Sequence, residues 1–107
     1  MITDEEMESA VRFYGENAVK LGEMAGATDY LDHKRKIVRA ELFNDAPGKT
    51  IAEREMYAES HPDYLAVVEE RRDAMTELHT LRTLLKAAEL RIDCWRSQNA
   101  SHRKGHV

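Results

Sequence analysis

The sequence predicts an all-α fold: a long antiparallel helical hairpin, about residues 4–43 and 62–99, with a short middle helix over about 51–59, assembling with further copies into a helical bundle. Three observations predict it. Good helix formers dominate, with 34% charged and only 7% aromatic side chains, a balance that favours long helices over sheet. The two prolines, Pro47 and Pro62, fall close together near the middle and leave both flanks uninterrupted. Apolar residues recur at steps of three and four on both sides of that stretch, and no run alternates with the period of two that marks a strand.

The first helix begins at a capping box. In Thr3-Asp4-Glu5-Glu6 the Thr3 hydroxyl is placed to accept the Glu6 N–H, and the Glu6 carboxylate to reach back. Met7, Val11, Tyr14, Ala18, Leu21 and Ala25 then trace a narrow heptad-like seam, which resumes at Tyr30, Leu31, Ile37, Val38 and Leu42. Gly15, Gly22 and Gly26 weaken the helix, but no proline intervenes, so one helix is expected to about Phe43, with Gly22 to Gly26 the place where it could bend or break. Asn44 to Lys49 carries the strongest breaker: Pro47 opposes helix at Ala46, and Gly48 is free to take positive φ.

Thr50-Ile51-Ala52-Glu53 is a second capping box, opening a helix that Ser60-His61-Pro62-Asp63 resets. Pro62 suits the first turn of the third helix, where its missing N–H costs nothing. That helix presents Tyr64, Val68, Met75, Leu78, Leu81, Leu85, Ala88, Ile92 and Trp95 inward, with Arg71 where the stripe calls for an apolar group. Residues 1–99 read as one domain and 100–107 as a basic flexible tail.

Two paired helices enclose no centre, so Phe13, Val19, Met24, Leu31, Leu65, Val67, Leu84 and Leu90 are expected to stay partly wet in a monomer. The expected subunit interface is Met7, Val11, Tyr14, Leu21, Leu78, Leu81, Leu85 and Ile92, and the first expected partner is the chain itself.

Composition narrows the function classes. No apolar run is long enough to span a bilayer, and the start is acidic where a signal peptide would be basic, so the reading is a cytoplasmic protein with no membrane partner. Cys94 stands alone, which excludes an internal disulfide and suits a buried or interfacial thiol. His102 and His106 have metal-pair spacing without a third ligand, while His33, His61 and His79 suit solvated or capping roles. Glu69, Glu70 and Asp73 lie among Arg71, Arg72 and Arg82, the pattern of pairing along a helix surface. Nothing assembles a nucleophile, base and oxyanion site, and no glycine loop cradles a phosphate. No catalytic residue, metal site or cofactor is expected.

Charge is segregated within a net of −4: residues 1–60 hold 13 acids and 8 bases, whereas residues 80–107 hold 6 bases and 2 acids. Two basic clusters are candidates for nucleic acid. One is Lys34, Arg35, Lys36 and Arg39, flanked by Tyr30 and Phe43, and the other is Arg91, Trp95, Arg96, Arg103 and Lys104. Lys and Arg supply salt-sensitive affinity for phosphates, and an aromatic can stack an unpaired base. Trp95 also falls on the apolar seam after Ile92, a position that favours packing or subunit contact.

The stretch Leu81 to Ala100, with its Trp95-Arg96-Ser97 step, resembles the ending of a group of small helical proteins from tailed bacteriophages. Thr50-Ile51-Ala52-Glu53-Arg54-Glu55 and His61-Pro62-Asp63-Tyr64 resemble that group too. More distantly, Ile92 to Ala100 and Lys34 to Leu42 are similar to segments of the T-even phage recombination mediator family, helical oligomers that load a recombinase onto single-stranded DNA coated with its binding protein. The resemblance implies a non-enzymatic phage accessory protein of DNA recombination or replication. Its implied partners are single-stranded DNA, the recombinase or the single-strand-binding protein. The alternative is a pure protein-interaction module, such as a phage inhibitor of a host defence or replication enzyme, docking its acidic first half on a basic partner.

Overall fold

A computed structural model describes residues 1–105, with side chains as far as Arg103. The fold is all-α, with two long helices and a short middle one: α1 (Asp4–Asp45), α2 (Ile51–Ser60) and α3 (Pro62–Gly105). There is no strand among the described residues.

Helix starts follow the capping residues. Thr3 Oγ1 accepts the Glu6 N–H at 3.1 Å, whereas the Glu6 carboxylate makes no hydrogen bond among the described residues, so only half of that box forms. Thr50 Oγ1 accepts the Glu53 N–H at 3.1 Å, and the Glu53 carboxylate reaches past Thr50 to the Lys49 N–H at 2.9 Å. His61 caps α3 through Nδ1, which accepts the Asp63 N–H at 3.1 Å.

α1 runs unbroken through Gly22 and Gly26, as the single first helix expected over about 4–43, because the flanking residues are good helix formers and no proline intervenes. Two expectations are corrected. Gly48 does not have positive φ; it is needed because a Cβ there would lie 2.6 Å from the Glu53 Cβ. α3 continues beyond Asn99 to Gly105. Asn99 supports that extension by donating its side-chain amide to the Trp95 carbonyl at 3.0 Å, and the next breaker is Gly105 itself.

The chain forms two compact units, Met1–Glu23 with Leu78–Val107 and Met24–Glu77. In the first, the two helix segments run antiparallel, since the Ile2 N–H donates to Gln98 Oε1 at 2.9 Å and the Trp95 indole to Asp4 at 2.8 Å. Its core is Ala10, Leu78, Leu81, Leu85 and Ala88, each at most 7% exposed. The expected α1 seam is displaced here: Val11 and Tyr14 are 49% and 45% exposed, and Ala10, Phe13 and Asn17 turn inward instead. Asn17 tolerates that position because its amide donates to the Phe13 carbonyl at 2.9 Å.

In the second unit the long-helix segments are again antiparallel, with Asp32 beside Arg71 and Arg35 beside Tyr64. Leu31, Val67, Ala46 and Ala58 are buried, as is Thr28, whose hydroxyl donates to the Met24 carbonyl at 2.9 Å. Leu31 and Val67, expected to stay wet, are core residues. Tyr30 and Ile37, expected on the seam, are 65% and 58% exposed, because burial follows Thr28, Leu31, Arg35, Val38 and Leu42 at steps of three and four. Arg54 closes the turn, donating Nε to the Gly48 carbonyl at 3.0 Å with its guanidinium 5.8 Å from the Phe43 ring centre.

Candidate nucleic-acid interface

The α1 basic cluster lies in the second unit. Asp32 sits one turn before Arg35 and Lys36, so helical spacing alone brings both cations to it, Arg35 at 3.0 Å and Lys36 at 3.4 Å. Arg71 approaches the same Asp32 oxygen as Arg35, at 3.5 Å. The hydrogen bond from Arg35, then the charges of Lys36 and Arg71, hold the Asp32 carboxyl below the usual carboxylate range against the opposing effect of desolvation. Arg35 is raised in turn, first by its hydrogen bond to the Tyr64 hydroxyl and then by Asp32. Arg39 places both Nε and Nη2 on Glu59 of α2, at 3.2 and 3.0 Å. Lys34 is half-buried and makes no ion pair among the described residues.

These cations are therefore partly occupied within the chain. The expected pairing of Arg71 with acids of its own helix is replaced by Asp32 of α1, because Arg71 stands on the inward face rather than the outer one. Tyr64 was legible as a seam residue and Glu59 only as a charge. Their contacts to Arg35 and Arg39 come from different helices, a distance no local spacing encodes.

The second cluster lies in the first unit, near the C-terminal end of α3. Trp95 is half-buried, its indole N–H held by Asp4, so the aromatic packs against the start of α1 rather than standing free. Arg96 pairs with Asp93 at 3.6 Å on the surface. Arg91 and Arg103 are exposed and make no ion pair among the described residues. Arg91 also borders a recess with Thr3, Glu5, Glu6 and Ser9. The side chain of Lys104, and His106 of the suggested metal pair, lie outside the described residues.

Of the expected subunit interface, Leu78, Leu81 and Leu85 are buried inside the chain and have no surface left for another copy. Met7, Leu21 and Ile92 are half-buried, and Val11 and Tyr14 are exposed. The apolar surface that remains is elsewhere: Val19, Leu84 and Leu90 in the first unit, and Ile51, Met56 and Leu65 in the second, are 46–73% exposed. Leu84 borders an open groove of about 380 Å³ with Ser9, Ala10, Phe13, Ala87, Ala88 and Arg91. Cys94 is exposed, not buried, because it points away from the Leu85, Ala88 and Ile92 face.

Among the described residues no cluster of His, Cys, Asp and Glu could hold a metal. Nor is any described helix long and apolar enough to cross a membrane. Comparison with family models, curated proteins and solved structures returns no significant match.

Proposed function

We propose that this chain is a non-enzymatic accessory protein of phage DNA recombination or replication, mediator-like, acting in the cytoplasm of a bacterial host. It works as a homo-oligomer and meets single-stranded DNA, or the recombinase and single-strand-binding protein upon it, through the basic end of α3. The observation that carries the reading is the charge segregation. Residues 80–107 hold 6 bases against 2 acids, and Arg91 and Arg103 are exposed with no carboxylate partner among the described residues. Exposed Val19, Leu84 and Leu90 supply apolar surface for self-association.

The test is fluorescence anisotropy of a labelled single strand at 50 and 200 mM salt. Contact with about three phosphates predicts an affinity loss of roughly tenfold or more between the two, from a slope near −0.7 per contact. No binding, or binding indifferent to salt, removes the nucleic-acid contact. A specific observation favours the second reading, a protein-interaction module: Arg39 is paired with Glu59 and the Trp95 indole with Asp4, so two of the expected DNA contacts already have partners within the chain. Pull-down of a host enzyme together with absent DNA binding supports that module.

A further inference from the structure

The charge cluster of the second unit is out of balance. Arg35, Lys36 and Arg71 converge on a single carboxylate, Asp32; Lys36 is exposed, while Arg35, which also donates to the Tyr64 hydroxyl, and Arg71 stand half-buried where an apolar side chain would ordinarily pack. Three like charges gathered on one carboxylate at a partly exposed site leave a local excess of positive charge that an anion from solvent can offset. Asp32 compensates one. The Arg71 Nε is buried with no hydrogen-bond partner, since its 3.5 Å approach to Asp32 is too poorly directed to be one. Its side chain as a whole is 34% exposed, so Arg71 borders solvent although its Nε is covered. A guanidinium with unspent donors beside a second guanidinium and an ammonium fits an oxyanion with several acceptor oxygens.

We propose that Arg35, Lys36 and Arg71 form a seat for one phosphate group, with Asp32 as the positioning carboxylate that holds the three cations together. The phosphate is either a free one or part of a single-stranded nucleic-acid backbone, and only the second source rests on the function proposed above. Arg71 is the decisive residue, because it alone of the three comes from α3 and its Nε is buried with no hydrogen-bond partner.

The experiment titrates the whole protein with pyrophosphate at constant ionic strength and follows the thermal midpoint. The wild-type chain is expected to rise by about 5 °C at ten times the dissociation constant. Arg71→Met should lose that response, and Arg82→Met, which changes an exposed cation outside the cluster, should keep it. Equal shifts in wild type and Arg71→Met, or no shift in either, overturn the seat. Should Arg71→Met fold poorly by circular dichroism, the arginine Nε–H resonances of the wild-type chain decide: a pyrophosphate-dependent shift upholds the seat, and unmoved signals overturn it. A labelled oligothymidylate then separates the sources. Weakening by three- to tenfold in Arg71→Met identifies a nucleic-acid backbone, and unchanged affinity identifies a free phosphate. If the wild type binds no oligonucleotide yet still responds to pyrophosphate, the seat stands and the DNA reading falls.

Discussion

Gly48 illustrates how a single residue answers to a contact rather than to its own backbone. The turn after α1 brings Gly48 under Glu53, whose carboxylate returns to the Lys49 N–H, so a methyl group would press on the Glu53 Cβ at 2.6 Å and on its Oε2 at 2.8 Å. Gly48→Ala is expected to destabilise the chain by about 1–3 kcal/mol, the usual cost of an added group in an occupied space. Urea unfolding measures it, and a midpoint equal to wild type would show that the turn relaxes freely. Pro47 and Gly48 mark the turn in the sequence; the close approach that requires a glycine becomes visible only once α2 folds back.

At the scale of the helices, α1 carries three glycines that serve no packing need within the chain. Nothing lies within 4 Å of a Cβ built at Gly15, Gly22 or Gly26. Each change to Ala should therefore stabilise by about 0.5–1 kcal/mol through backbone entropy alone. Together they should lift the thermal midpoint by roughly 8 °C or more. A loss at any one of them would mean that another molecule lies against that face. The pairing of α1 with α3 in the second unit, built on Leu31 and Val67, also includes an ionised contact at Asp32. Asp32 titrates below its ordinary value of 3.8 when folded, so its contribution is complete above that value and disappears as pH falls through the lower folded one. Stability measured between about pH 5 and 2 should fall more steeply in wild type than in Asp32→Asn, which lacks that proton linkage. Parallel curves would show that the carboxylate has no preferential interaction with its three cations.

For the molecule as a whole, the limiting fact is how little is fully covered. No large side chain is entirely buried among the described residues, and Leu84, Leu90 and Val19 stand 51%, 56% and 71% exposed. Association of copies would cover such groups. Light scattering is expected to give a multiple of the 12.3 kDa chain mass, and Leu84→Glu with Leu90→Glu should lower it. A wild-type chain that scatters as a monomer at high concentration, with no dye-accessible apolar surface, would overturn the assembly.

Short-range signals suffice for the all-α class, the helix starts and the inward face of Leu78, Leu81, Leu85 and Ala88, because caps, prolines and helical periodicity act over a few residues. Tertiary structure alone decided that Ala10 and Asn17 replace Val11 and Tyr14 on the α1 face. It also decided that Arg71 meets Asp32 and that Trp95 meets Asp4. A face chosen by greasiness overlooks a small residue that lets helices approach and a polar one that satisfies itself on its own backbone. Ion pairs between residues tens of positions apart are set by which surfaces meet, and that is a property of the folded chain.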